Sequence, residues 1–238
     1  MNLSEKIIYD VGANNGDDTD FYLRKGFRVV AVEADPELAS ALTKRFADQI
    51  AEGRLTVLAE GAGEAHETLA FYRRKDKRDW SSFYKGKAAA AAHDVLEIPV
   101  RPLSEMIAQH GAPYYLKIDV EGYELPALRS LRQDTALPEY LSFEINLDWS
   151  DILDVLASLG YGRFQLIRQG KQFLLPQPDP VREGVWAEVE FKGSMSGIFG
   201  RDLPDAWVGR DRIEGVVAAA KSDPVPGAGW CDIHCHRR

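Results

Sequence analysis

The stretch that most limits what this chain can become runs from Ile7 to Asp18, Ile-Ile-Tyr-Asp-Val-Gly-Ala-Asn-Asn-Gly-Asp-Asp. Ile7, Ile8 and Val11 make a short apolar run of β-formers, the pattern of a strand covered on both faces. Gly12 and Gly16 permit a tight turn and let a ligand come close to the main chain. Asn14 and Asn15 tolerate positive φ better than most residues. Strand, glycine turn and helix start, in that order, form the nucleoside-binding unit of a doubly wound sheet.

The same stretch restricts the nucleoside. Asp17, Asp18 and Asp20 fill the first helical turn. They suit the helix dipole but would repel a pyrophosphate. Gly12 and Gly16 also lack the G-x-G-x-x-G spacing of a dinucleotide site. A phosphate-free cofactor with a positive centre fits better, and S-adenosylmethionine is one. Asp10 at the strand end is then the candidate holder of its amino group, with Gly12, Asn14, Gly16 and Asp17 forming the loop around it. A second apolar run, Arg28 to Val32, ends at Glu33, 17 residues beyond Gly16. An acidic residue there is expected to hold a ribose diol.

Composition narrows the class. A chain of 238 residues, 45% hydrophobic and 28% charged, suits one soluble α/β domain. A formal charge of −8 argues against nonspecific nucleic-acid binding and against an anionic membrane surface. No apolar run reaches the roughly 18 residues of a membrane-spanning helix. Cys231 and Cys235 give no disulfide framework, and no signal peptide is visible, so a cytoplasmic location is expected.

Further along, Asp35-Pro36 reads as an N-cap and first helical position, with Leu38, Leu42 and Phe46 as a buried stripe. Leu55 to Ala59 is a third strand. It enters the loop Glu60 to Glu64, where Glu60 marks a candidate adenine edge. Glu67 to Tyr72 alternates as an extra strand outside the basic unit. Arg73 to Lys87 is basic and aromatic, fitting either a contact with an anionic or sugar substrate or a solvated loop. The alanines from Ala88 to Ala92 fit a short helix or disorder.

Val95 to Val100 is strand-like, and Leu103 and Ile107 mark a helix ending by Gly111. Tyr114 to Asp119 is a strong strand that puts Asp119 on the rim of Asp10 and Glu33, because ligands lie beyond the carboxyl ends of such strands. Leu125, Leu128 and Leu131 mark a helix. Leu141 to Ile145 alternates and brings Glu144 near a strand end, with Asn146 just beyond. Ile152, Val155, Leu156 and Leu159 form a helical stripe stopped by Gly160. Phe164–Ile167 and Phe173–Leu175 flank Gln169-Gly170 like a hairpin. The sum is a mixed seven-stranded sheet with helices on both faces.

The texture changes at Pro176. Residues 1–175 are therefore expected to form the cofactor domain and 176–238 a C-terminal extension. That extension offers a strand from Val185 to Phe191, a glycine- and serine-rich candidate lid from Gly193 to Gly200, and a helix bearing Ile213, Val216, Val217 and Ala220. Cys231, His234, Cys235 and His236 invite a metal reading, but their spacing fits no common zinc pattern, and a structural tail is preferred.

Asp10-Val11-Gly12-Ala13-Asn14-Asn15-Gly16, then Glu33, then Leu116-Lys117-Ile118-Asp119-Val120-Glu121-Gly122-Tyr123-Glu124 resemble the FkbM-type S-adenosylmethionine-dependent methyltransferases. The resemblance covers roughly residues 6–168. Ser196 to Gly200 and Trp230 to His234 look like a longer subgroup. The resemblance implies a Rossmann-like class I methyltransferase fold, S-adenosyl-L-methionine as cofactor, and O-methylation of a sugar, glycan or polyketide hydroxyl. Asn14 stands where many methyltransferases carry a middle glycine. Asp119 is the first candidate for general base, with Glu121 and Glu144 as alternatives on the same rim. A divalent metal on Asp119, Glu144 and Asn146 is the less favoured version. Expected partners are a small-molecule or glycan acceptor, with no nucleic acid and no membrane. A nicotinamide-dependent oxidoreductase and a non-catalytic nucleoside-binding protein are the competing classes, the first disfavoured by the acidic helix start.

Overall fold

The structure is a computed structural model that describes residues 5–88, 91–170 and 173–237. The opening strand β1 (Ile7–Val11) is buried along its whole length and is followed by helix α1 (Asp17–Arg24). Strand β2 (Arg28–Val32), helix α2 (Pro36–Arg45), helix α3 (Ala47–Ala51) and strand β3 (Leu55–Leu58) complete the first half. Asp35 caps α2 by accepting from the Glu37 amide, with Pro36 at the first turn.

Strands β4 (Gly61–Gly63) and β5 (Glu67–Arg74), a short 3₁₀ turn (Arg78–Trp80), helix α4 (Lys85–Ala88) and strand β6 (His93–Pro102) follow. They build a separate three-stranded sheet in the order β4-β6-β5, so the extra strand lies outside the main sheet as expected. Ala89 and Ala90 of the alanine run lie outside the described residues.

Helix α5 (Leu103–His110), strand β7 (Pro113–Ile118), helix α6 (Glu124–Arg129), strand β8 (Tyr140–Glu144), helix α7 (Trp149–Ser158) and strand β9 (Arg163–Arg168) come next. Helix α8 (Arg210–Lys221) and strand β10 (Cys231–His236) end the chain. The main sheet has seven strands in the order β3-β2-β1-β7-β8-β10-β9. β10 alone runs antiparallel to its neighbours β8 and β9. Helices α5 to α8 cover one face through residues such as Met106, Leu128, Leu156 and Val217, and α1 and α2 cover the other through Phe21, Tyr22 and Leu42.

Two sequence expectations change here. β9 pairs with β10, not with Phe173–Leu175, and Lys171 and Gln172 lie outside the described residues. Val185 to Phe191 is no strand. The Val185 amide donates to the Lys25 carbonyl, and the Gln177 side-chain amide grips both backbone groups of Ala187, so a side chain takes the place of a neighbouring strand. The boundary at residue 175 also cuts through the sheet, since β10 fills the space between β8 and β9. Cys231, Ile233 and Cys235 are buried, Ile233 and Cys235 in the apolar core, while His236 stacks on Tyr140 with centroids 4.4 Å apart. That alternation explains the Cys/His tail as a strand. Among the described residues no helix is long and apolar enough to cross a membrane.

Candidate active site

A cavity of about 750 Å³ opens beyond the carboxyl ends of β1, β2, β7 and β8. Its floor is the glycine turn. Gly12 has φ 83°, and a Cβ there would sit 1.8 Å from the Asp119 carbonyl oxygen, so the turn after β1 and the end of β7 meet as bare backbone. Asn14 takes φ 48° and its amide donates to Glu33 Oε2 at 2.7 Å. Glu33 Oε1 accepts from the Asp35 amide at 2.8 Å. Burial nonetheless pushes the Glu33 carboxyl up to about 7, although these amides oppose the shift.

A pH prediction follows from Glu33. Its raised pKa means that the empty protein's favourable burial of neutral Glu33 is present at low pH and lost as pH rises through about 7. A ribose diol donates best to the ionised form. S-adenosylhomocysteine should therefore bind more tightly as pH rises from about 5.5 to 8, and Glu33→Ala should cost about 1–3 kcal/mol of binding at pH 8. Calorimetry across that range, with Glu33→Gln giving a flat profile, checks it; equal affinity for mutant and wild type removes Glu33 from the ribose position.

Several expected cofactor residues divide by position. Gly12, Asn14, Asp17, Glu33, Glu60 and Asp119 line the cavity. Asp10 and Gly16 do not. Asp10 is fully buried behind the wall, accepting from Thr19 Oγ1 at 2.6 Å and pairing with Lys117 at 3.2 Å, so its carboxylate is committed to the interior rather than to a ligand's amino group. Gly16 caps α1 at φ 82°, where a Cβ would press on Leu42 and Phe46. Its role is to seat α1 against α2. Asp17 is held by Arg45 at 3.2 Å and Lys192 at 3.8 Å, and Glu60 is clasped by Arg101 at 2.5 Å.

The basic and aromatic segment covers the Glu33 side of the cavity. Arg74, Lys77, Arg78, Trp80 and Phe83 all line the cavity. Arg78 bridges to Asp35 at 2.7 Å and Glu37 at 2.9 Å, pinning the segment over the start of α2. Ser82 donates to the Glu121 carbonyl at 2.8 Å and ties the same segment to the end of β7.

Gly193 and Ser194 close another side. The rest of the candidate lid is anchored in the core. The Ser196 amide donates to both Asp18 oxygens at 3.0 and 3.1 Å, and Phe199 is fully buried and stacked 4.6 Å from Tyr115. A segment fixed in this way is a wall, which corrects the lid expectation.

At the far end Asp119, Glu121 and Glu144 bring carboxylate oxygens within 4.8 Å of one another. Glu144 accepts from Trp230 Nε1 at 3.0 Å and from Asn146 Nδ2 at 2.8 Å. Asn146 thus holds Glu144 by a hydrogen bond. Glu121 is turned inward by φ 56°. Buried Glu124 imposes that turn, for its Oε1 accepts from the amides of Val120 and Gly122 at 3.1 and 3.0 Å. Burial pushes Glu124 up to about 7.

Beneath this rim lies Lys117, paired with Asp10, Asp18 and Asp119 at 3.2, 3.5 and 3.8 Å. Burial works to lower its pKa, but the three carboxylates outweigh it and hold the ammonium well above the usual lysine value. Lys117, Asp18, Glu124 and Trp230 were not picked out as site residues. A lysine within the apolar run Tyr-Tyr-Leu-Lys-Ile was the available signal for the first two, since such a charge needs buried partners. For Trp230 the only signal is its place in the tail segment that resembles a longer subgroup.

The methyltransferase FkbM domain family profile matches residues 10–164. A segment of 58 residues is 40% identical to the probable ribosomal RNA small subunit methyltransferase A of Methanospirillum hungatei JF-1, spanning 24% of this chain and 23% of that protein. Among solved structures, a methyltransferase FkbM from Methylobacillus flagellatus KT is 25% identical over 67% of this chain and 39% of its own, with a TM-score of 0.46. A SAM-dependent O-methyltransferase from Thermotoga maritima is 14% identical over 98% of this chain and 59% of its own, with a TM-score of 0.42. The chain thus spans less than two thirds of each of these relatives, from 23% to 59% of their length. With the family profile running from the end of β1 into β9, the chain belongs to the FkbM methyltransferase family.

Proposed function

We propose that this protein transfers a methyl group from S-adenosylmethionine to a hydroxyl of a small-molecule or glycan acceptor. The observation that carries the reading is one cavity holding both Glu33 with the glycine turn and the trio Asp119, Glu121 and Glu144. The donor set fits the cofactor: carboxylates outnumber Lys117 around the turn, which suits a sulfonium and an ammonium and disfavours a pyrophosphate. S-adenosylmethionine supplies an electrophilic methyl group when bound.

The chain's own residues do the rest. Glu33 accepts from the ribose hydroxyls, and the Arg78 segment keeps water from the cofactor side. Asp119 takes the proton of the acceptor hydroxyl, while Glu121 and Glu144 hold that hydroxyl in line. The same carboxylates repel a phosphate backbone, so nucleic acid is not the proposed acceptor. Cytoplasmic action belongs to this reading and rests on two cysteines that are free and buried.

The test begins by screening extracts of small molecules and glycans for label from methyl-labelled cofactor. With the acceptor in hand, Asp119→Asn should lower turnover by about 10²-fold or more and leave S-adenosylhomocysteine affinity within a few fold. Near wild-type turnover of the folded variant removes Asp119 as the base. Label appearing only in an amine product refutes the O-directed reading.

A further inference from the structure

The large cavity lies beyond the carboxyl ends of its strands. A second depression, of about 550 Å³, lies at the opposite rim, where β8 and β9 begin and antiparallel β10 ends. Tyr140, His236 and Arg163 stand directly opposite one another in the β8-β10-β9 register, so their side chains share one face of the sheet. His236 stacks on Tyr140, and Trp207 closes on that pair with its centroid 5.8 Å from His236. Arg163 extends the row toward the sheet edge. The C-terminal extension supplies the other wall through Arg182 and Arg201.

Three arginines thus open on one depression of a chain whose net charge is −8. Arg201 is neutralised by fully buried Glu183, 3.1 Å from its Nε. Arg182 is held differently. Its Nη2 donates to the main-chain carbonyls of Asp202 and Leu203 at 3.1 and 2.9 Å, which fix the guanidinium without cancelling its charge. The Asp202 carboxylate accepts from the Arg182 amide and is paired with Lys25. Arg163 and Arg182 make no ion pair among the described residues. The counter-charges nearby are Asp205, exposed on the rim, and Glu139, 3.7 Å from His236 Nε2.

We propose that this depression binds a small phosphate monoester, with the phosphate between Arg163 and Arg182 and the organic body against Trp207. Guanidinium forks match phosphate oxygens two at a time. A phosphate monoester carries about −1.5 to −2 charges at pH 7, more than a carboxylate brings, so it answers two guanidiniums despite Asp205 on the rim. A volume of about 550 Å³ is far more than an inorganic ion fills and lies in the range of pockets for small organic ligands. The large cavity, with Asp17, Glu33 and Asp119 in its lining, repels such a ligand, so the two sites take different molecules.

The experiment titrates the full chain with phenyl phosphate by calorimetry, beside benzoate and phenol, with and without S-adenosylhomocysteine. One equivalent of phenyl phosphate should bind in the millimolar range or tighter, with benzoate weaker and phenol silent. S-adenosylhomocysteine should leave that binding unchanged. Arg163→Gln, at an exposed position, should weaken it about tenfold with circular dichroism as in the wild type. Arg182→Gln should weaken it as well, but that variant also frees two carbonyls, so Arg163→Gln carries the test. Asp205→Asn should tighten binding, and Arg132→Gln, at an exposed position outside the depression, should leave it as it is. Absence of saturable binding overturns the site. Benzoate binding as tightly as phenyl phosphate overturns the phosphate class. Displacement by S-adenosylhomocysteine places the probe in the large cavity and overturns the second site. Equal weakening by Arg132→Gln and Arg163→Gln means diffuse charge attraction and overturns it too.

Discussion

A chain ending at Leu175 is expected not to fold. Strand β10 is hydrogen-bonded on both sides, along five residues of β8 and six of β9, and β9 joins the main sheet through β10. Removing it strands β9 and exposes buried Ile233 and Cys235 contacts, at about 1.5–3 kcal/mol for each large apolar side chain. The same cut removes Phe199 from its stack on Tyr115. It also removes Asp202 and Gln177, which hold the Lys25 ammonium at 3.0 and 3.2 Å, with both side chains of the ion pair fully buried. Together these losses are comparable to the roughly 5–15 kcal/mol by which a domain is stable. Circular dichroism should reveal no cooperative melt for residues 1–175, and calorimetry no S-adenosylhomocysteine binding. A truncated chain that melts cooperatively and binds the ligand would overturn the account and restore residue 175 as a domain boundary.

Lys117→Met should be the most damaging single substitution in the site. The methionine nearly matches the lysine stem in volume, so the loss is electrostatic. Asp10 and Asp18 remain buried with no ammonium at 3.2 and 3.5 Å. Asp18 already has its carboxyl pushed up to about 6, first by burial. Without Lys117 buried Asp18 must take up a proton on folding, so its folded pKa rises further above the unfolded one, and Asp10 loses its ion pair. A raised acid contributes stability that is present at low pH and lost as pH rises through its folded value. The variant should lose about 3–5 kcal/mol at pH 8 and distinctly less at pH 5. Urea melts at the two pH values test this. A loss below about 1 kcal/mol, equal at both, would mean that Lys117 does not hold these acids.

The sequence alone determined the α/β class, the glycine turn and its place at the end of the first strand. Local signals sufficed because a strand buried on both faces, an Asp-Pro cap and positive-φ glycines are each set within a few residues. Glu33 and Asp119 were legible for the same reason, since each ends an apolar run and so falls on the ligand rim. Glu121 and Glu144 followed from short offsets along the chain.

Tertiary structure decided what depends on partners far away in sequence. Asp10 read as a ligand contact because its position fits one, yet Lys117, 107 residues on, claims it inside the wall. Gly16 read as a binding glycine, but Leu42 and Phe46 dictate its lack of a side chain. Cys231 to His236 alternates apolar and polar residues as a strand does, but nothing local says that it inserts between β8 and β9. Its register beside β8 and β9 assigns the two faces, one to the core and one to Asp232 near Glu144. Val185 to Phe191 alternates as a strand would, and only the grip of Gln177 on Ala187 and of Lys25 on Val185 keeps it out of a sheet. Alternation reports which side chains seek burial, whereas strand pairing is fixed by which backbone partners the rest of the chain leaves available.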